Sequence, residues 1–383
     1  MQKKLIALAI AGLASTGAFA QTNVTIYGVA DVGYTSVTSS VRGGPDLEFR
    51  GLTTGVLSGS RLGFKAEEDL GGGLKAGALY EFGTLAPDGG GASSAGTTSG
   101  MGSIRQSYVF LSGSSWGTVQ AGRIYTAGTN TFGKFDAEGS SFFGAGSRLN
   151  GTAGIGSTID AGSDRSRLNN SVAWLSPNWS GFSGQVQYSW GEQGNATVGT
   201  TNDSRYWGGG IDYTNGPLAV AFAYNDFSDY TGQTVGAASR DLNEWIIGGS
   251  YDFGMLKLTG SYQDFDGDNM ATIGGAAAAG ASVKGDIWQI GVIVPVMKAG
   301  SVRVTYADLS RDTRATRAAA KTSADADGWS LSYQHAMSKR TTLYVGYTEV
   351  SNNRGSTVSV GAAGAPSAGQ DSSGYAMGMR HTF

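Results

Sequence analysis

Apolar side chains recur at every second residue through most of this chain, and that period limits what it can become. Val24, Ile26, Ala30, Val32 and Tyr34 share one face, while Asn23, Thr25, Asp31 and Thr35 share the other. A period of two over that length describes a strand with one apolar and one polar side. The pattern returns at Leu62, Phe64 and Ala66, at Leu74 through Phe82, and at Phe182, Val186, Tyr188 and Trp190. It returns again at Leu218, Val220, Phe222 and Tyr224, at Trp329, Leu331 and Tyr333, and at Leu343, Val345 and Tyr347.

The connectors alternate as well. Short turns fall at 68–73, 113–117, 177–181, 215–217, 252–255, 295–300 and 337–340. Longer stretches rich in Gly, Ser and Ala lie between them, near 38–58, 85–102, 124–166, 191–203, 227–241, 265–283, 310–326 and 351–372. Short turns at one end and long loops at the other is the layout of a transmembrane β-barrel. A β protein crosses lipid only as a closed barrel, because every backbone polar group must be paired. The runs between connectors number about sixteen, a size that leaves a water-filled lumen. The expected fold is therefore all-β: a sixteen-stranded antiparallel transmembrane β-barrel. A secreted sandwich, β-helix or adhesin would alternate too. Aromatics at strand ends (Trp190, Trp207, Tyr224, Trp288, Trp329, Tyr347) and a final strand with Tyr375, Met377, Met379, His381 and Phe383 on one face favour the barrel.

Residues 1–20 have the form of a cleaved secretory signal peptide: Lys3 and Lys4, an apolar run from Leu5 to Leu13, then Ala18-Phe19-Ala20. That leaves one barrel domain over 21–383. Removing Lys3 and Lys4 takes the formal net charge from -3 to -5, so nothing suggests a nucleic-acid partner. The absence of Cys excludes a disulfide framework and thiolate metal sites.

One stretch breaks the alternation. Residues 126–167 show neither a strand period nor a helix beyond a turn or two, yet they carry Phe132, Phe135, Phe142 and Phe143. Loops of such length inside a folded unit are usually functional or disordered, and a disordered linker rarely holds four Phe in a dozen residues. The expectation is a loop that packs into the lumen, with Lys134, Asp136 and Glu138 along it.

At this point the sequence resembles a Gram-negative trimeric porin of the beta-proteobacterial type. The residues that carry the likeness are VTIYGVADVGY (24–34), SRLGFKAEEDLGGGLKAG (60–77), RQSYVFLSG (105–113), WGTVQAGR (116–123), RLNNSVAWLSPNWSGF (167–182) and the terminal GMRHTF. The resemblance spans the mature chain and weakens mainly in the long loops. It implies a homotrimer in the outer membrane, in contact with its lipid and lipopolysaccharide. It also implies a general diffusion channel for small hydrophilic solutes and ions, without a cofactor. The third long loop would constrict the lumen, basic wall residues facing loop acids. Carried over by position, these are Arg61, Arg105 and Arg167 on the wall, and Asp136 and Glu138 on the loop. Alternation independently puts the three arginines inside, since Arg61 opposes Leu62 and Phe64, Arg105 opposes Tyr108 and Phe110, and Arg167 opposes Val172 and Trp174. Three arginines against two acids predict a mild anion preference. The alternative is a substrate-specific porin for anions or sugars, but the further lumen-side residues Tyr27, Tyr344 and Arg303 look scattered.

Enzymatic chemistry finds little support. His335 and His381 align with the apolar face, away from the lumen, so neither is placed to serve as a catalytic base. Asp264, Asp266 and Asp268 resemble the start of a calcium loop, but the required Gly and the Glu at position twelve do not follow.

Overall fold

The computed structural model describes residues 23–83, 104–152, 166–190, 200–201, 205–228, 233–234, 241–268, 282–314 and 322–383. The expected signal peptide and the whole of the connector near 85–102 lie outside them.

The strands are β1 (Asn23–Ser39), β2 (Leu47–Thr54), β3 (Arg61–Gly71), β4 (Leu74–Gly83), β5 (Ile104–Gly113), β6 (Gly117–Tyr125), β7 (Arg167–Leu175) and β8 (Phe182–Ser189). There follow β9 (Thr200–Thr201), β10 (Arg205–Asn215), β11 (Leu218–Ser228), β12 (Gln233–Thr234), β13 (Asp241–Asp252), β14 (Lys257–Asp268), β15 (Ser282–Val296) and β16 (Gly300–Arg314). The last four are β17 (Thr322–Ser323), β18 (Ala326–Ala336), β19 (Thr341–Asn352) and β20 (Ser372–Thr382). The two-residue strands β9 and β12 pair only with each other, and β17 is an extension beside β16. Both β2 and β3 pair with β1, one with each half of it, and so share one place in the wall. The result is the expected sixteen-stranded antiparallel barrel. Closure comes from β20 pairing with β1, and Phe383 and Gly28 exchange backbone hydrogen bonds of 3.0 and 3.1 Å. All seven expected short turns fall between strands.

The pleat sorts side chains as the period requires. Along β11, Leu218, Val220 and Phe222 are exposed on the outer surface, while Ala221, Ala223 and Phe227 are buried inside. Outward aromatics pair between neighbouring strands, with ring centroids 5.1 Å apart for Trp207 and Tyr224, 5.4 Å for Trp288 and Tyr306, and 5.3 Å for Trp329 and Tyr347. This is the interfacial girdle of a membrane barrel.

Three local expectations need correction. The first long connector, near 38–58, contains a strand, because β2 continues the ladder on β1 before the chain turns inward at Gly55. That turn is held by Asp31, whose carboxylate accepts from the amides of Leu57 and Ser58, both at 2.7 Å. Gly63, whose small size on an early strand would suit packing against a neighbouring subunit, lies inside, where a Cβ would come within 2.1 Å of the Tyr27 ring. On β5, Ile104, Val109 and Leu111 are the exposed residues, whereas Tyr108 and Phe110 are only partly so and take the inner face. Arg105 still points inward, because the ladder slips there: Glu81 pairs with Gln106 but Phe82 with Ile104, leaving Arg105 as the extra residue of a bulge.

The 126–167 stretch does enter the barrel, and it holds more helix than its sequence suggests. Helices run over Ala127–Phe135 and Ala145–Thr152. The Thr126 side chain caps the first by accepting from the Thr129 amide at 3.3 Å. Glycines at 128 and 133 lower its intrinsic propensity, so packing supplies the stability. Phe132, Phe135 and Phe143 are 0–1 % exposed, each burial contributing about 1.5–3 kcal/mol. The wall makes room for them. A Cβ on Gly248 would lie 2.3 Å from the Phe135 ring, and one on Gly346 would lie 2.8 Å from Phe143.

Candidate functional site

The first helix of the loop packs on β8, β10, β11, β13 and β14, and the second on β15, β16, β18 and β19. Between them the Phe142 amide donates to the Val56 carbonyl at 2.7 Å, pinning the loop to the inward turn after β2. The loop thus lies as a crescent against one side of the lumen. Strands β3, β4 and β5 face the remaining bore, and the two expected groups of residues separate along this division.

Arg61 and Arg105 come together on the bare wall through an acid. Glu81 accepts from Arg105 Nε at 2.7 Å and lies 3.8 Å from Arg61 Nε. Arg105 also donates to the Tyr125 hydroxyl at 2.8 Å, and Tyr27 donates to Glu81 at 3.0 Å. Arg167 sits across the β6–β7 ladder with its guanidinium 4.9 Å from the centre of the Tyr125 ring, a cation–π arrangement. One aromatic ring therefore links Arg105 and Arg167. Arg61, Glu81, Arg105 and Tyr125, with Val29 and Thr382, line a recess opening into the lumen. Arg123 lies on the outer side of the same region and donates to the Ile104 and Arg167 carbonyls.

Asp136 and Glu138 do not join the arginines. Asp136 is buried within the loop, its oxygens accepting from the amides of Glu138 at 2.9 Å and Ser140 at 2.8 Å. It closes the turn after the first helix. Burial pushes its carboxyl above the ordinary range, against the pull of those amides. Glu138 reaches into the wall, accepting from Ser332 at 2.6 Å and Gln334 at 3.2 Å. It is 3 % exposed, and burial raises its carboxyl to about 7, with Arg303 partly opposing the rise. The cations whose charge acts on these acids are Arg148 on Asp136 and Arg303 on Glu138, not Arg61, Arg105 or Arg167. Where the sequence expects Asp136 or Glu138 opposite the arginines, the seated loop gives both carboxylates the nearest donors, the amides of Glu138 and Ser140 for one and the side chains of Ser332 and Gln334 for the other. On the loop's exposed edge are Asn130, Gly133, Lys134 and Gly139, and Lys134 bridges to Asp212 at 2.5 Å.

Sequence reasoning missed several participants. Glu81 has the inward parity of its strand but was not connected to the arginines. Tyr125 was hidden at the loop's edge. Arg303, read as scattered, donates to the Ala137 carbonyl at 2.7 Å. Arg380 stands two residues from Gly378 on the inner face of β20, and its terminal motif served only to carry the resemblance. His335 and His381 bond to Tyr333 and Thr341 at 2.8 and 2.9 Å.

A family model described as Gram-negative porin matches residues 7–355. The chain is 34 % identical over 397 residues to outer membrane porin protein 32 of Delftia acidovorans, covering all of both chains. It is 31 % identical over 266 residues to an outer membrane porin protein of Bordetella pertussis, covering 65 % of this chain and 66 % of that one. An anion-selective porin from Comamonas acidovorans superposes with a TM-score of 0.76 at 30 % identity, over 95 % of this chain and 100 % of that one.

Proposed function

Because the chain belongs to the Gram-negative porin family and forms an outer-membrane channel for small hydrophilic solutes and ions, we propose that its constriction is the gap between the seated loop and the Arg61–Arg105–Arg167 wall. Anions pass it in mild preference to cations. One observation carries this reading: on the bare wall Arg61 and Arg105 share a single carboxylate, Glu81, while the loop acids are turned away from the water. Arginine stays charged at every relevant pH. An uncompensated unit charge about 5 Å from a passing anion, at an effective dielectric near 20, is worth roughly 3 kcal/mol, enough to bias passage without trapping the ion. The relative described as anion-selective is consistent with that sign.

The test is the reversal potential of single channels in a salt gradient. Arg105→Ser is expected to lower the anion-to-cation permeability ratio at low salt, with the difference shrinking as screening grows. An unchanged ratio in both Arg105→Ser and Arg167→Ser refutes the assignment.

The same reading includes cleavage after Ala20 and assembly as a homotrimer surrounded by lipid and lipopolysaccharide. Ala30 and Ala66, small residues with outward parity on β1 and β3, suit close subunit packing, while Gly28 is covered by the Phe383 ring. Migration only as a monomer on unheated gels refutes the trimer.

A further inference from the structure

We propose that two adjacent short turns, carrying Lys298, Lys339 and Arg340, bind anionic phospholipid headgroups of the periplasmic leaflet. The inference rests on the chain being an outer-membrane barrel, whose short turns face the periplasm, and not on its ion preference.

Charge is divided lengthwise along this part of the wall. On β15, β16, β18 and β19 the outward acids Asp286, Asp308, Asp327 and Glu349 all lie toward the long loops. No Asp or Glu occurs between 287 and 307, or between 328 and 348. Those intervals contain the turns at 295–300, joining β15 to β16, and at 337–340, joining β18 to β19. Because β16 pairs directly with β18, the two turns stand about 10 Å apart, two strand spacings.

The rest of the short-turn rim has no such excess. The turns at 113–117, 177–181 and 215–217 hold no charged residue. At 68–73 the chain carries Glu68 and Asp69, and neighbouring Glu67 takes both Lys65 at 2.9 Å and Lys75 at 2.7 Å. At 252–255 the one charge is Asp252, which accepts from the Gly254 amide at 2.8 Å. By contrast, Lys298, Lys339 and Arg340 are exposed, and among the described residues their side chains make no hydrogen bond or ion pair.

The surroundings of these cations select a lipid over a dissolved anion. Each turn also exposes a methionine, Met297 at 81 % and Met337 at 61 %. Above Met337 the outward column of β18 runs through Leu331 and Tyr333 to His335, whose ring bonds the Tyr333 hydroxyl at 2.8 Å. Cations at the foot of an apolar, lipid-facing column stand where lipid phosphates lie, with their aliphatic stems and the methionines beside the acyl boundary. A zwitterionic headgroup brings its own ammonium and offsets its phosphate. An anionic one leaves a net charge for the turns to match.

The experiment titrates the full-length channel in detergent with phosphatidylglycerol or phosphatidylethanolamine and counts retained lipids by native mass spectrometry. Phosphatidylglycerol is expected to bind more tightly at low salt. Lys298→Gln and Lys339→Gln should each weaken it about fivefold, the usual worth of one basic residue at an anionic lipid surface, with phosphatidylethanolamine unaffected. Lys284→Gln removes an outward cation at the long-loop end that already pairs with Asp266, and should change neither lipid. Equal affinity of wild type for the two lipids, or equal loss in Lys284→Gln and Lys298→Gln, overturns the proposal. Displacement of the lipid by inorganic phosphate, but not by chloride of the same ionic strength, reassigns the turns to a free anion and overturns it as well. These readings need no current, so they stand or fall separately from the reversal potential of Arg105→Ser.

Discussion

The two sides of the lumen use charge in opposite ways. On the bare wall, Arg61 and Arg105 have side chains 24 % and 16 % exposed and meet one acid. On the covered side, Asp136 and Glu138 are nearly sealed, and their oxygens are occupied by loop amides and by wall Ser and Gln. By formal count the acids should offset much of the basic wall. By position they do not oppose it directly, because both carboxylates bond loop amides or the Ser332–Gln334 wall and sit with Arg148 and Arg303 rather than with Arg61, Arg105 or Arg167. Placement across the lumen, rather than burial or the number of charges, separates the two faces, since Glu81 is 5 % and Arg167 9 % exposed.

The largest expected effect comes from removing that division. Excising residues 127–150 bares the whole lumen, so single-channel conductance should rise several-fold, and the charge preference should weaken as the gap outgrows a screening length of about 8–10 Å. Conductance equal to wild type would place the loop elsewhere than in the bore.

A smaller contrast compares one acid from each side. Glu81→Gln removes the carboxylate shared by two arginines and should increase anion preference in reversal-potential measurements. Asp136→Asn should leave that preference unchanged, since its carboxylate does not see the bore. It should instead cost about 1–3 kcal/mol of stability by loosening the turn it closes, measured as a lower unfolding midpoint. A selectivity change in Asp136→Asn equal to that in Glu81→Gln would erase the distinction drawn here.

The smallest effect is a pH dependence of loop seating. Glu138 has its carboxyl raised to about 7 in the folded protein, above the usual value near 4.3. The folded state therefore binds the extra proton more tightly than the unfolded one between those values. Its contribution to stability is complete below the unfolded value and is lost as pH rises through about 7. Loop noise in single-channel recordings should be greater at pH 8 than at pH 5 in wild type. Glu138→Gln, neutral throughout and able to keep hydrogen bonds to Ser332 and Gln334, should flatten that difference. Undiminished pH dependence in the variant would assign the titration to another group.

Much of the wall was legible before any coordinates. Strict alternation placed Arg61 inside and His381 outside, and the spacing of turns set the strand number, because a pleated strand has no other way to sort polar from apolar side chains. Arg105 shows the limit of that logic: its inward direction was expected, but alternation from Tyr108 and Phe110 was the wrong reason, and a one-residue slip against β4 is the right one. The loop shows a deeper limit. Four Phe said that it must be buried, yet nothing local said which wall would receive it, since Gly248 and Gly346 read as ordinary strand glycines until Phe135 and Phe143 rest on them.

By itself, then, the sequence determined the closed barrel, the direction of its strands and the entry of one long loop, since period, turn length and apolar content are local properties. Only the tertiary structure decided which charges face water. Whether Glu138 meets an arginine or a serine, and whether Glu81 bridges two guanidiniums, depends on donors brought together from strands up to 196 residues apart. Hydrogen-bond partners over such separations are fixed by barrel closure and loop seating, which no short window of residues contains.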